Sequence, residues 1–120
     1  MTPAPGGDWQ VEEYEQSQQN VPVRTFLVGL TGRDANQAAA LLLKLEARGN
    51  RLRPPDSQRV ATGLYELRGH QVRIFYMLLP GRRIVLLDGI IKKQDRIARQ
   101  DLDRVTQYQR EVERRGPRAP

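Results

Sequence analysis

From the N-terminus, the first regular pattern of apolar and polar positions is a short alternation over residues 9–14. Trp9, Val11 and Glu13 are set against Gln10, Glu12 and Tyr14, and a period of two permits a strand. After a polar connector over 16–20, Val21-Pro22 opens a helix, because proline's fixed φ and missing N–H are tolerated in a first turn. Val23, Phe26, Leu27 and Leu30 recur at i, i+3, i+4 and i+7 as one apolar stripe, which Thr31-Gly32 stops. Asp34, with Gln37 three residues on, resembles a capping box for a second helix. Ala38, Leu41, Leu42 and Leu45 repeat the stripe there, and Gly49 is placed as its left-handed cap. Two amphipathic helices joined this closely form a helical hairpin whose shared stripe needs a sheet to cover it.

Residues 50–57, with Pro54-Pro55, read as a loop, and beyond them the period changes to two. Tyr65 and Leu67 alternate with Leu64, Glu66 and Arg68, Gly69-His70 supplies a turn, and Val72, Ile74 and Tyr76 alternate with Arg73, Phe75 and Met77. Pro80-Gly81 turns the chain again into a nearly continuous apolar strand over 84–91, interrupted by Asp88 and Gly89. This predicts a three-stranded antiparallel meander whose third strand is central, since it is apolar on both faces. From about 97 to 115, Leu102, Val105, Tyr108 and Val112 form a narrow helical stripe that Gly116-Pro117 ends. The expected fold class is a small α+β domain in the order β-α-α-β-β-β-α, with the helical hairpin packed on one face of a small, mainly antiparallel sheet. A single domain is expected over 9–115, with a disordered leader at 1–8 and a disordered tail at 116–120.

Composition narrows the chemistry. The 120 residues suit one domain with one core. There is no cysteine and His70 is the single histidine, which excludes disulfide scaffolds, thiolate ligands, cysteine nucleophiles and two-histidine metal sites. No metal and no cofactor are expected. No apolar run approaches the ~20 residues that span a bilayer, and the N-terminus has neither a basic leader nor an apolar segment. The expectation is a cytoplasmic protein with no membrane partner. The net charge is +6, and all of the excess lies in the second half: residues 1–60 hold seven basic and seven acidic side chains, residues 61–120 thirteen and seven. Only Lys92 and Lys93 among those thirteen are lysines. Arginine's planar fork suits phosphate, and the field attracts polyanions. A solvated basic helix without a partner is the plain alternative.

On the meander, Glu66, Arg68 and Arg73 project away from the face of Tyr65, Leu67, Val72, Ile74 and Tyr76 that is assigned to the helices. Lys92-Lys93 closes the last strand, so two arginines, two lysines and one carboxylate converge on a sheet face expected to be uncovered. RNA cleavage needs a cation for the phosphorane, a base for the 2′-hydroxyl and an acid for the leaving 5′-oxygen. Arg73 and Lys93 suit the first role, Glu66 the second and a lysine the third. Structural roles stand beside these. Glu66 and Arg68 also suit a cross-strand ion pair, Lys92 and Lys93 suit charges that keep a strand end from pairing, and His70 is either a turn residue or an RNA contact. Tyr65, Tyr76 and Tyr108 suit the core, and Trp9 suits an anchor for the leader.

The segments Gly63-Leu-Tyr-Glu-Leu-Arg68, Val72-Arg-Ile-Phe-Tyr76, Ile84-Val-Leu-Leu and Ile90-Ile-Lys-Lys93 resemble the RelE/HigB toxins of bacterial type II toxin–antitoxin systems. The phage-derived HigB-like branch of the RelE/ParE superfamily is most similar, through Pro22-Val-Arg-Thr-Phe-Leu27, Leu45-Glu-Ala-Arg-Gly-Asn-Arg-Leu52 and Pro54-Pro55. The resemblance spans roughly residues 9–110. It implies a RelE-like fold and a ribosome-dependent mRNA interferase, a metal-independent endoribonuclease that cuts mRNA by 2′-hydroxyl attack. The implied partners are the ribosome with its mRNA and a cognate helix-turn-helix antitoxin. By the resemblance, Arg73 matches the strand arginine that contacts the scissile phosphate, and Arg68 a basic residue ending the preceding strand. Lys93 matches the basic residue after the last strand, with Lys92 its neighbour. Glu66 stands where RelE proper has a lysine credited with a general-base role, and Arg99 lies near the position of a C-terminal tyrosine or histidine. The expected catalytic residues are therefore Arg73, Lys93 and Glu66, with Arg68, Lys92 and His70 binding RNA phosphate. Two other functions fit the same scaffold: a ParE-like toxin that inhibits gyrase without nuclease activity, and a non-toxic phage or regulatory RNA-binding protein.

Overall fold

The computed structural model describes residues 9–120, so the leader expected over 1–8 lies outside the described residues. The elements run β1 (Gln10–Glu13), α1 (Pro22–Val28), α2 (Gly32–Arg48), a 3-10 turn (Gly49–Arg51), β2 (Ser57–Ala61), β3 (Leu64–Arg68), β4 (Val72–Leu79), β5 (Arg83–Ile91) and α3 (Arg99–Arg115). The strands form one five-stranded sheet in the order β1-β5-β4-β3-β2. β1 runs parallel to β5 and the other pairs are antiparallel, so the α+β sheet is mixed. β5 is flanked by β1 and β4, as its apolar residues on both faces require.

β2 is a strand where a loop was expected to end. Its sequence, Ser-Gln-Arg-Val-Ala, has no alternation to announce it. What makes it a strand is the backbone ladder to β3, with Ser57 opposite Leu67, Gln58 opposite Glu66 and Arg59 opposite Tyr65. An edge strand needs only one such neighbour, and its polar side chains keep the edge soluble.

The helical hairpin covers one face of the sheet. Val23, Ala38, Leu41 and Leu45 bury against Leu67, Ile74, Tyr76, Ile84 and Leu86. α1 crosses β5 so closely that a Cβ on Gly89 would lie 2.2 Å from the Phe26 ring, which explains the glycine that interrupts an apolar strand. The opposite face was expected to be uncovered, and it is not. There α3 packs Val105 and Val112 against Leu64, Phe75, Met77, Val85 and Leu87. Two apolar stripes drive this closure: the narrow one of α3, and the one that Phe75 and Met77 form on the face away from the hairpin. Arg104 reinforces it, with Nε 3.1 Å from Asp88 Oδ2 on β5.

Two local expectations are also revised. Asp34 and Gln37 form no capping box: the N-cap of α2 is Thr31, without a side-chain hydrogen bond. Gln37 Oε1 instead accepts a 2.8 Å hydrogen bond from the His70 N–H and so holds the β3–β4 turn. Residues 116–120, expected as a disordered tail, are tied to the segment after β1. Glu15 N–H donates to the Pro117 carbonyl at 2.8 Å, Ala119 N–H to Glu15 Oε1 at 3.1 Å, and Arg115 Nη2 to the Glu15 carbonyl at 2.7 Å. Among the described residues, no helix is long and apolar enough to cross a membrane.

The packing makes a direct contrast within α2, where Leu45 is 0% exposed and Leu43 61%. In urea unfolding, Leu45→Ala is expected to lower stability by about 2–5 kcal/mol through the cavity it leaves. Leu43→Ala is expected to stay within about 0.5 kcal/mol of wild type.

Candidate functional site

The β3–β4 hairpin brings most of the candidate residues together. Its ladder sets Arg68 opposite Arg73 and Glu66 opposite Phe75. On the next strand Ile90 lies opposite Arg73. Two residues further on, the Lys92 N–H donates to the Gln71 carbonyl at 2.7 Å, which fastens Lys92 beside the turn that contains His70. Alternation therefore gathers Glu66, Arg68, Arg73 and Lys92 at one end of the sheet, and all three cations act on the Glu66 carboxylate.

Burial divides the group. Glu66 and Arg73 are 4% and 6% exposed, inside the protein and not on an open face. Arg73 Nη1 donates to the carbonyls of Gly69 at 2.7 Å and Val72 at 2.9 Å, so its guanidinium braces the turn between the strands. Glu66 Oε1 lies 3.4 Å from Arg68 Nε and 3.8 Å from Arg73 Nε. Glu66 Oε2 and Arg73 Nε are buried without a hydrogen-bond partner in the protein. Arg68 is the link to the surface: its side chain is 34% exposed, and its Nη1 donates to Gln58 Oε1 on β2. Lys92 is half-buried, while Lys93 and the turn residue His70 are exposed. Lys92 and Lys93 line a cavity of about 130 Å³ with Arg96, Ile97 and Asp101, where β5 gives way to α3. Arg99 extends from the first turn of α3 with its side chain 94% exposed, 3.9 Å from Asp103.

Electrostatics follows from this burial. Removal from water raises the Glu66 pKa above the ordinary 4.5, and the opposing fields of Arg73, Arg68 and Lys92 do not cancel the effect. The same loss of solvent lowers Arg73, against the favourable field of Glu66. A carboxylate raised in this way takes up a proton closer to neutrality than a surface glutamate does, which suits a general base. Beside it stand the half-exposed Arg68 guanidinium and Lys92, cations able to meet a phosphate, while Lys93 is exposed at the cavity between β5 and α3. Among the described residues, no group of His, Cys, Asp and Glu is arranged to hold a metal ion.

Sequence reasoning missed the partners that hold this site. Gln58, on the unforeseen β2, steers Arg68. Asp88 was read only as an interruption of β5, yet it anchors Arg104, and a charge inside an apolar strand was the available signal.

The burial of Arg73 changes what its removal does. An exposed cation contributes little to stability, whereas loss of one partner of a buried pair strands the other charge. Arg73→Ala is expected to cost about 3–5 kcal/mol in urea unfolding. Glu66 carries a pH signature. Because the folded protein binds its proton more tightly than the unfolded chain, its contribution is fully present below pH 4.5 and is lost as pH rises through the raised value. Relative to Glu66→Gln, wild type is expected to lose stability across that interval and then run parallel. A constant difference from acid to neutral pH would refute the raised pKa.

Comparison with known protein families matches residues 25–110 to the family described as phage-derived protein Gp49-like (DUF891). No curated protein matches the chain. The matched stretch runs from α1 into α3 and includes every candidate site residue, and the family is of the RelE/toxin-like kind. The chain belongs to the phage-derived Gp49-like family.

Proposed function

We propose that the protein is the toxin of a type II toxin–antitoxin pair and acts as a ribosome-dependent mRNA endonuclease. The observation that carries this reading is the convergence of Arg68, Arg73 and Lys92 on a buried carboxylate whose pKa is raised. In the proposed step the 2′-hydroxyl proton passes to Glu66 and the 2′-oxygen attacks the adjacent phosphorus. The bond to the 5′-oxygen breaks, and that oxygen takes a proton from the Lys93 ammonium, leaving a 2′,3′-cyclic phosphate and a 5′-hydroxyl. Arg68 and Lys92 neutralise the phosphorane, Arg73 holds Glu66 and the turn in place, and His70 contacts the RNA beside the turn. Arg73, matched by resemblance to an arginine on the phosphate, is here a positioning residue, because its guanidinium is occupied by Gly69 and Val72.

The ribosome supplies orientation, which is worth several kcal/mol when reacting groups are held in near-attack geometry. A helix-turn-helix antitoxin is the proposed partner that silences the site. The burial of Glu66 and Arg73 also favours a second reading, a toxin of the same scaffold that inhibits gyrase by binding and has no hydrolytic site.

A translating extract separates the two. Added wild-type protein is expected to cut mRNA, and Lys93→Ala, an exposed change that leaves the fold intact, to cut at least 100-fold more slowly (roughly the effect of one lost transition-state donor). Glu66→Gln is expected to lose about 10²- to 10⁴-fold, the range for a general base, and the wild-type rate to fall on acidification at a pH above the usual carboxylate range. Intact mRNA with wild-type protein, together with a block of supercoiling by purified gyrase, would replace this reading with the second.

A further inference from the structure

A cleft beside α2 adjoins the Glu66 cluster through Arg68. On α2, Gln37, Ala40, Leu41 and Lys44 stand at i, i+3, i+4 and i+7 and therefore share one helix face. That face meets the end of β3, where it lines a cleft of about 200 Å³ with Asp56, Arg68 and Gly69. The approach is close enough to need a glycine: a Cβ on Gly69 would lie 2.6 Å from Gln37 Oε1 and 3.5 Å from Leu41 Cδ1. Arg68 belongs to both places, since it lines this cleft while its Nε lies 3.4 Å from Glu66 Oε1.

The polar groups of the cleft are held by the fold itself. Gln37 Oε1 is committed to the His70 N–H at 2.8 Å, which orients the amide, and Gln37 Nε2 donates to none of the described residues. Asp56 is tied down twice. Its carbonyl accepts from the Arg68 N–H at 2.9 Å, and Lys44 Nζ lies 3.4 Å from each of its carboxylate oxygens. Hydrogen bonds that long leave the carboxylate with lone pairs to spare. Leu41, Ala40 and Gly69 supply an apolar lining that is small at two of its three positions. An oriented amide donor and a carboxylate acceptor beside small apolar groups are the means by which an unstacked base is held and its edge read.

We infer that this cleft takes one unstacked base of the RNA strand, on a nucleotide adjoining the phosphate that Arg68 meets. Gln37 Nε2 donates to an acceptor on the base edge and Asp56 accepts from a donor beside it, which makes Gln37 a specificity-determining residue. That the base belongs to a strand being cut rests on the function proposed above; the recognition chemistry does not. The same amide holds the turn that contains His70, so base recognition and the geometry of the cluster share one side chain.

Nitrogen-15 NMR of the full-length protein tests this without the ribosome. The four ribonucleoside 5′-monophosphates, added singly, are expected to shift the Gly69 backbone amide and the Gln37 side-chain amide saturably and with unequal affinities. Ribose 5-phosphate, which has no base, is expected to leave both unmoved. Gln37→Glu keeps an acceptor for the His70 N–H but replaces the donor, and is expected to weaken the preferred nucleotide about tenfold, the size of one lost hydrogen bond to a partner left unpaired. Ala40→Met fills the cleft from an exposed helical position that methionine suits, and is expected to abolish binding with an unchanged urea midpoint. In the translating extract, Gln37→Glu is expected to move the positions of the cuts while total cleavage stays. No saturable shift with any nucleotide, an equal response to ribose 5-phosphate, or wild-type affinity in Ala40→Met would overturn the inference. Base-dependent binding without mRNA cleavage by the wild type removes the proposed reaction and leaves this site; cleavage with no saturable shift, at positions unchanged by Gln37→Glu, does the reverse.

Discussion

A carboxylate and a guanidinium held almost out of water, with one polar atom of each left without a protein partner, form the constraint on which the site depends. Burial of an ion pair costs several kcal/mol per charge, and the attraction between the two repays that cost only when geometry and hydrogen bonding are good. Here Arg73 Nη1 donates to two carbonyls, but Arg73 Nε, like Glu66 Oε2, has no protein partner, so part of the cost stays unrepaid on both groups. Incompletely satisfied buried polar groups of this kind are uncommon in folded proteins. A surface Glu66 would be an ordinary anion close to cations. Under cover, it becomes a proton acceptor tuned upward.

The cover comes from the two-sided packing of the sheet. α3 on one face and the hairpin on the other leave β4 buried along most of its length, so a charged residue at its start is necessarily desolvated. Lys93, His70 and the outer part of Arg68 stay exposed beyond that cover. Arg73 thereby ties the turn and the carboxylate together.

Much of this was legible in the chain. The stripes Val23/Phe26/Leu27/Leu30 and Ala38/Leu41/Leu42/Leu45 announce the hairpin, and the both-faces apolarity of 84–91 announces a central strand, because both follow from the periodicity of side chains. β2 was not legible, since its order lies in the backbone ladder to β3 and not in any pattern of Ser57, Gln58 and Arg59. The closure of α3 over the sheet was half-written: its stripe was visible, but the face it seeks depends on which side of the sheet the connection at 92–98 returns. For the same reason Glu66, Arg68 and Arg73 could be placed together by register, while their burial could not. Gln37 shows the limit of local motifs, because its apparent cap partner lies three residues away and its true one, His70, lies across the fold.

The most direct measurement is an NMR titration of the Glu66 side-chain carboxyl in the folded protein. A midpoint clearly above the ordinary 4.5 is the result that burial against Arg73, Arg68 and Lys92 requires. A midpoint at or below it would mean that the cations outweigh desolvation, making Glu66 a fixed anion of a structural pair and removing the base from the proposed reaction.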